Sequence, residues 1–359
     1  MPPEGPRAPT GRGARFDPVN RFTEIEVLLD PEEITEDDLG VRTRYLNDTS
    51  RSIISTNSSP DVGFDASLNP YRGCEHGCSY CYARPSHEYL GLSAGLDFER
   101  VILVKREAPV LLERALASER WRPQVLALSG VTDPYQPVER KLGITRGCLE
   151  VLARFRNPVG LITKNALVTR DADVLTEMAA WGGARVTLSI TTLDETLRRR
   201  LEPRTSTIRN RLDAVARLAE AGVPVGVNIA PIIPGLTDQD VPELLKLAAE
   251  AGASHAGFTM LRLPGAVGPL FTAWLEANEP LRRDKVLNRV RDAHGGEPDD
   301  RRFGRRMRGS GVYAEQVRSL FRLARRRAGI PAETPPLATD RFARPGEAHQ
   351  PALFGAPSE

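Results

Sequence analysis

Cysteine is scarce in this chain: four among 359 residues, and three of those four fall within eight positions. Too few are left to build a disulfide framework, so the expected setting is a reducing cytoplasm and ligand chemistry. Lysine is nearly as scarce, at Lys105, Lys141, Lys164, Lys246 and Lys285, which leaves arginine to supply the other 44 of 49 cations. With abundant Ala, Gly and Pro, this bias looks like a G+C-rich coding background, so arginine clusters are discounted as binding signals. No acidic or basic excess exists either: 49 cations face 47 acids, which excludes a general attraction to nucleic acid or membrane. No run of 18 apolar residues is present, so no membrane-spanning helix is expected. The first 20 residues, MPPEGPRAPTGRGARFDPVN, have no apolar core and do not read as a secretory signal.

What is present is Cys74-Glu-His-Gly-Cys78-Ser-Tyr-Cys81. Gly77 and the short spacers let three thiolates fold back onto one soft metal centre. A structural zinc site takes four ligands in two separated pairs, and no second pair exists here. Cys148 lies far away in an apolar helical pattern, where a buried cysteine is ordinarily core. Two readings stay open on the residues alone. One is a zinc knuckle completed by His76 or His87. The other is an iron–sulfur cluster with three protein ligands, whose fourth iron is left for a small molecule.

The Cys-x3-Cys-x2-Cys spacing, with Tyr80 before the last cysteine, resembles the signature of the radical S-adenosylmethionine (SAM) superfamily. The wider stretch NPYRGCEHGCSYCYAR, followed by SGVTDPYQPVE, resembles the spore-photoproduct-lyase-like subgroup. The resemblance covers about residues 65–265. It implies a [4Fe–4S] cluster on Cys74, Cys78 and Cys81 with SAM chelated by the open iron. It also implies an external one-electron donor of flavodoxin or ferredoxin type, and a 5′-deoxyadenosyl radical that abstracts hydrogen from a substrate.

From Ala66 the chain alternates strand-like and helix-like segments, which predicts parallel strands joined by right-handed crossovers. Strands are expected at 67–71, 124–129, 159–164, 185–192, 223–230 and 255–263, with helices at 107–118, 145–155, 171–181, 208–221 and 239–251. Thr145 and Asp171 suit N-caps, and Gly182 and Gly222 suit helix ends. Six units make an α/β fold of the partial (β/α)6 barrel type, TIM-like but incomplete, which is also the fold the resemblance implies. Around it stand residues 1–20 as a disordered start, 21–64 as an extension packing beside the barrel, 266–330 as a helical basic segment, and 331–359 as a Pro-rich flexible tail in which Leu353 and Phe354 can dock.

Strand alternation separates Val186, Leu188 and Ile190 from Thr187, Ser189 and Thr191, and a polar ligand would explain the hydroxyl face. Gly226 removes bulk where something must approach. By resemblance Tyr80 lies near the SAM adenine, and Thr132 and Asp133 stand where the superfamily usually has Gly-Gly-Glu to receive the SAM amino group; an Asp-Pro turn is the plain alternative. Lys164 can meet the SAM carboxylate or a substrate phosphate, or pair with a neighbouring acid. Ser189, Thr191 and Asn228 are candidates for the ribose and methionine moieties, or for hydrogen bonding inside the barrel. Arg204 is a candidate carboxylate clamp, and Arg262 is similar.

Residues 281–330 carry 15 cations against six acids, a patch that can attract phosphates or serve as solvated surface; the aromatics there are Phe303, Tyr313 and Phe321. The expected substrate is a nucleic-acid base, which makes DNA a partner, or alternatively a small metabolite or protein side chain. A cysteine hydrogen donor between the cluster loop and the end of the second strand, which the lyase itself uses, is missing here. From another class comes a non-catalytic zinc-binding module.

Overall fold

The computed structural model describes residues 11–22, 42–299 and 302–346. Parts of the expected disordered start and of the extension (1–10 and 23–41), Arg301 of the basic cluster, and Leu353 and Phe354 lie outside the described residues.

Among the described residues, ten strands form two sheets: β1 (Arg44–Asn47), β2 (Ile54–Thr56), β3 (Ala66–Leu68), β4 (Tyr71–Arg72), β5 (Val101–Val104), β6 (Leu126–Leu128), β7 (Val159–Thr163), β8 (Ala184–Ser189), β9 (Val225–Ile232) and β10 (His255–Met260). The large sheet runs β10-β9-β8-β7-β6-β3-β2. Its strands from β3 to β10 are mutually parallel, and β2 pairs antiparallel with β3. Six parallel strands taken in chain order are the (β/α)6 pattern that the alternation implied. The small sheet is β1-β5-β4, and its last strand leads directly into the cysteine loop.

Register explains the core. Leu68, Leu128, Leu161, Val186 and Val225 stand side by side across five strands, and none is more than 1% exposed. Each such side chain withdrawn from water contributes roughly 1.5–3 kcal/mol. Helices Ala108–Ala117, Ile144–Arg154, Ala172–Ala179, Ile208–Glu220 and Val241–Glu250 bury their apolar faces on this sheet.

Gly182 and Gly222 end two of these helices with φ of 76° and 78°, as their positions suggested. The caps differ from expectation. Helix Ile144–Arg154 starts after Gly143, and Thr145 donates its hydroxyl to the Pro134 carbonyl at 2.6 Å. Asp171 stands at its N-cap position but makes no side-chain cap bond; its carboxylate accepts from Tyr135 at 2.9 Å and from arginines 146 and 170.

Three expectations about the flanks need correction. Residues 12–14 are packed: the Gly13 and Ala14 N–H groups donate to the Glu99 carboxylate at 3.0 and 2.7 Å. A buried carboxylate needs donors, and this segment supplies two. Residues 335–343 are also held, through Arg185 to the Pro335 carbonyl, Ala338 N–H to Gly182 O at 2.9 Å, and Ala343 N–H to Phe155 O at 3.0 Å. Helices Val267–Asn278 and Arg283–Ala293 are more than a basic surface, because Phe271, Trp274, Leu275, Val286 and Val290 build a second core with Cys78 and Tyr80.

Candidate metal centre

Two turns set the cysteine loop. Gly73, with φ of 79°, lies so close to His87 and Phe98 that a Cβ would sit 2.8 Å from the His87 ring. Cys74 N–H then donates to Phe98 O at 2.8 Å, Gly77 N–H to Cys74 O at 3.4 Å, and Cys81 N–H to Cys78 O at 3.2 Å. Cys74 packs with Phe98 and Ala83, Cys78 with Tyr80 and the second core, and Cys81 touches both groups. Burial pushes all three thiols up, and Asp133 adds to this at Cys74 and Glu202 at Cys78.

Glu75 and His76 of the loop, and His87 beyond it, are engaged elsewhere. Glu75 accepts from Tyr45 at 2.9 Å and from Val138 N–H at 2.9 Å. His76 has Nδ1 at 3.3 Å from Asp133 and Nε2 at 3.4 Å from the Asn165 amide. His87 holds the Val101 carbonyl through Nε2 at 2.9 Å, with Nδ1 buried and unpartnered. Among the described residues, no three His, Cys, Asp or Glu side chains gather around a point that would hold a single ion. The donor set is three free thiols of one loop, Cys74 and Cys78 in two apolar clusters and Cys81 packed against both, with the buried Ser79 hydroxyl left without a partner between Cys78 and Tyr80. Such a set fits an iron–sulfur group broader than one ion.

Beside the loop, the ends of β7, β8 and β9 assemble a buried network. The Tyr80 hydroxyl donates to Glu202 and lies 3.1 Å from Thr191 Oγ1, which itself donates to Glu202 at 2.6 Å. Lys164 Nζ reaches Glu202 at 3.1 Å, Thr191 at 3.3 Å and the Ala230 carbonyl at 2.8 Å. Arg211, fully buried, donates to Glu202 Oε2 at 2.5 Å and to the Ser189 carbonyl at 2.8 Å. Burial alone would raise the Glu202 carboxyl, but Arg211 and Lys164 hold it below its ordinary range. Burial and Glu202 push the Tyr80 phenol up.

The sequence candidates thus divide. Tyr80, Lys164 and Thr191 meet in this network, and Lys164 takes the alternative of pairing with an acid. Ser189 and Asn228 stand in register beside Gly257, with Ser189 engaged through its carbonyl. Asp133 has no oxygen left for an ammonium. It accepts from Thr163 at 2.6 Å, from the N–H groups of Tyr135 and Lys164 at 2.9 and 2.7 Å, and faces His76. Burial would raise its carboxyl, yet His76, Thr163 and the Lys164 N–H keep it low. Its role is to tie the cysteine loop to β7, and its backbone N–H points at Cys74. Thr132 donates its hydroxyl to the Tyr71 carbonyl at 3.3 Å.

Arg204 lies on the outer side of the loop, 3.5 Å from Glu75. Arg262 stands 5.4 Å from the centre of the Tyr82 ring, next to Cys81. What approaches Gly226 is His255: Gly226 pairs with both Thr187 and His255, and the imidazole crosses it to meet Thr187 at 3.1 Å. A Cβ on Gly226 would sit 2.6 Å from that ring. Cys148 is fully buried in the main core. Glu202 and Arg211 escaped the sequence reading; the available signal was an acid two residues before Arg204, just past a charged helix, Glu195–Leu201.

Comparison with known proteins bears on this geometry. The model of the Radical SAM superfamily matches residues 68–248. An uncharacterised protein of Mycobacterium tuberculosis (strain ATCC 25618 / H37Rv) is 34% identical over 237 residues, 66% of this chain and 68% of its own length. One from Methanocaldococcus jannaschii is 29% identical over 171 residues, 48% of this chain and 61% of that protein. A cysteine-to-alanine variant of spore photoproduct lyase superposes with a TM-score of 0.53 at 16% identity, covering 79% of this chain and 77% of that one; the likeness is one of fold.

Proposed function

The chain belongs to the radical SAM superfamily, whose members use a [4Fe–4S] cluster, SAM and an external electron donor; from that premise we propose that it cleaves SAM reductively and abstracts hydrogen from a nucleic-acid base. The observation that carries the first half is the trio Cys74, Cys78 and Cys81 on one loop, two of them buried and Cys81 half-buried between their two apolar clusters, flanked by the Tyr80–Glu202–Lys164 network.

Cys74, Cys78 and Cys81 would hold the [4Fe–4S] cluster, which when bound would supply the electron for reductive cleavage of SAM. The chain's own residues do the rest. Asp133 and His76 fix the loop against β7, so the three sulfurs keep their relative positions. Arg211 and Glu202 hold Tyr80 and Thr191 at the end of β8, where a nucleoside and an amino acid can find hydroxyl and carbonyl partners. The apolar walls of Phe271, Trp274 and Leu261 shut water away from Cys78, which suits radical chemistry.

For the base as substrate, support comes from the segment that crosses from β10 to the turn after β2. The Met307 carbonyl accepts Met260 N–H at 2.9 Å, while Gly304 N–H and Arg306 both donate to Asp61 at 2.6 Å. This segment presents Phe303, 60% exposed with Arg306 4.7 Å from its ring centre, a surface on which a base can stack. A spore photoproduct lyase variant of like fold, with a TM-score of 0.52 at 16% identity, is described as holding dinucleoside spore photoproduct.

The test is anaerobic. Reconstituted protein with dithionite and SAM should release 5′-deoxyadenosine, faster with single-stranded DNA and less so as salt rises. No product with or without DNA would overturn the reading. Product that DNA leaves unchanged would move the substrate to a small metabolite or a protein side chain.

A further inference from the structure

Within the cysteine loop the backbone bonds are long, Gly77 N–H to Cys74 O at 3.4 Å and Cys81 N–H to Cys78 O at 3.2 Å. Gly77 and Cys78 lean instead on Glu99, a fully buried carboxylate that lies outside the Tyr80–Glu202 network. A Cβ on Gly77 would sit 2.6 Å from Glu99 Oε2. Arg84, itself fully buried, pairs with Glu99 Oε1 and donates Nε and Nη2 to the Cys78 carbonyl at 3.1 and 2.9 Å.

The rest of Glu99 is taken by a segment far away in sequence. Gly13 N–H donates to Oε2 and Ala14 N–H to Oε1, while Arg12 Nη1 donates to the Glu99 carbonyl at 2.8 Å. Gly13 also lies directly on Gly77, so close that a Cβ would meet the Gly77 carbonyl oxygen at 1.7 Å and Ser79 N at 3.0 Å. That fit leaves no slack, and a shift of the Gly77 carbonyl must displace Gly13. Two paths therefore join the segment to the cysteines: the Gly77–Gly13 contact, and Cys78 through Arg84 and Glu99 to Ala14. The attachment is nonetheless shallow. Residues 11–22 hold no helix or strand, Ala14 is their one buried side chain, and Phe16 and Val19 are 39% and 74% exposed. A segment with so few buried apolar contacts opens at a free energy well below that of global unfolding.

We propose that residues 12–14 form a clasp on the cysteine loop whose closure is coupled to the occupancy of the three thiols: shut on the loaded protein, loosened on the empty one. The inference rests on the reading above, because it takes Cys74, Cys78 and Cys81 to hold a cluster. A group bonded to the loop at three points restricts the chain that ligates it. Gly77 and Cys78 then keep the positions on which Gly13 and, through Arg84 and Glu99, Ala14 depend. The coupling is reciprocal: the factor by which loading favours the closed clasp is the factor by which the closed clasp favours retention of the cluster. The start of the chain thereby signals an empty site, because proteolysis of a transiently opened segment tracks the population of its open form.

The probe is trypsin, applied without oxygen to the full chain before and after reconstitution with iron and sulfide. Cleavage after Arg12 and Arg15, which flank the clasp, is followed by mass spectrometry, with cleavage after Arg341 as the internal reference. Loading should slow the first two about fivefold or more and leave the third unchanged. The reverse effect is read in Gly13→Ala, which sets a methyl group against the Gly77 carbonyl without touching either apolar core. The loaded variant should release iron to a chelator about fivefold faster than wild type, while the melting temperature of its empty form stays that of wild type. Loaded wild type that is cut at Arg12 and Arg15 as fast as the empty protein, or is slowed equally at Arg341, overturns the clasp. So does a Gly13→Ala protein that keeps its iron as long as wild type. Wild type that takes up no iron condemns the reading of the cysteines instead, so the two failures are told apart.

Discussion

Replacing Glu202 by alanine removes the one carboxylate on which Tyr80, Thr191, Lys164 and Arg211 converge. Arg211 is fully buried and Lys164 largely so, with side-chain exposures of 0% and 15%. Both cations would lose their counter-charge, and breaking a buried pair from one side costs about 3–5 kcal/mol. Arg211 keeps the Ser189 and Ser206 carbonyls, and Lys164 keeps Ala230, so the lower end of that range is expected. Glu202→Gln preserves the shape and one acceptor, and should cost about 1.5–3 kcal/mol for the weakened charged hydrogen bonds. Urea unfolding followed by circular dichroism measures both. Adding Lys164→Met to Glu202→Ala should recover about 1 kcal/mol or more relative to the sum of the single changes, because the orphaned ammonium is gone. A Glu202→Ala protein within about 0.5 kcal/mol of wild type would refute the idea that this network holds the site together.

Other outcomes follow from particular contacts. Burial, with Arg185 adding to it, lowers the His255 imidazole from 6.5 to about 4. The native state therefore stays neutral while the unfolded chain takes up a proton, so stability rises with pH between about 4 and 6.5 and is lost on acidification, by up to roughly 3 kcal/mol. In His255→Asn the difference from wild type should shrink across that window as pH falls; a parallel pH profile would contradict it. Gly226→Val drives a side chain into the His255 ring and should cost about 1–3 kcal/mol by overpacking, visible in urea melts. Trp274→Ala empties the second core under Cys78 and Tyr80, and about 3–5 kcal/mol should be lost. Gly13→Val should lift residues 11–16 off Gly77, which speeds tryptic cleavage at Arg12 and Arg15 severalfold without changing the rate at Arg341.

The parallel core was readable because its strands and helices alternate with clear periodicity and glycine stops, and helix Ile208–Glu220 falls within one residue of its expected bounds. Strands β1, β2 and β5, three or four residues each, are too short for periodicity to reveal, and β1 is exposed throughout. The three cysteines announce themselves by spacing alone. Their surroundings do not. Glu202 and Arg211 become a pair with Tyr80 and Lys164 only when four segments fold together, and no local pattern marks that convergence. Asp133 was singled out for its loop, but its partners His76, Thr163 and the Lys164 N–H come from elsewhere in the chain and take the lone pairs reserved for a ligand. Gly226 shows the same limit: the close approach was legible, while its cause, an imidazole from the next strand, was not.

The most direct test is electron paramagnetic resonance of the reconstituted, dithionite-reduced protein before and after SAM is added. A cluster signal from about four irons per chain, lost when Cys74, Cys78 and Cys81 are replaced by alanine and altered by SAM, is expected of three sulfurs that leave one iron open. A signal that SAM does not change, or protein that takes up zinc and no iron, would contradict it.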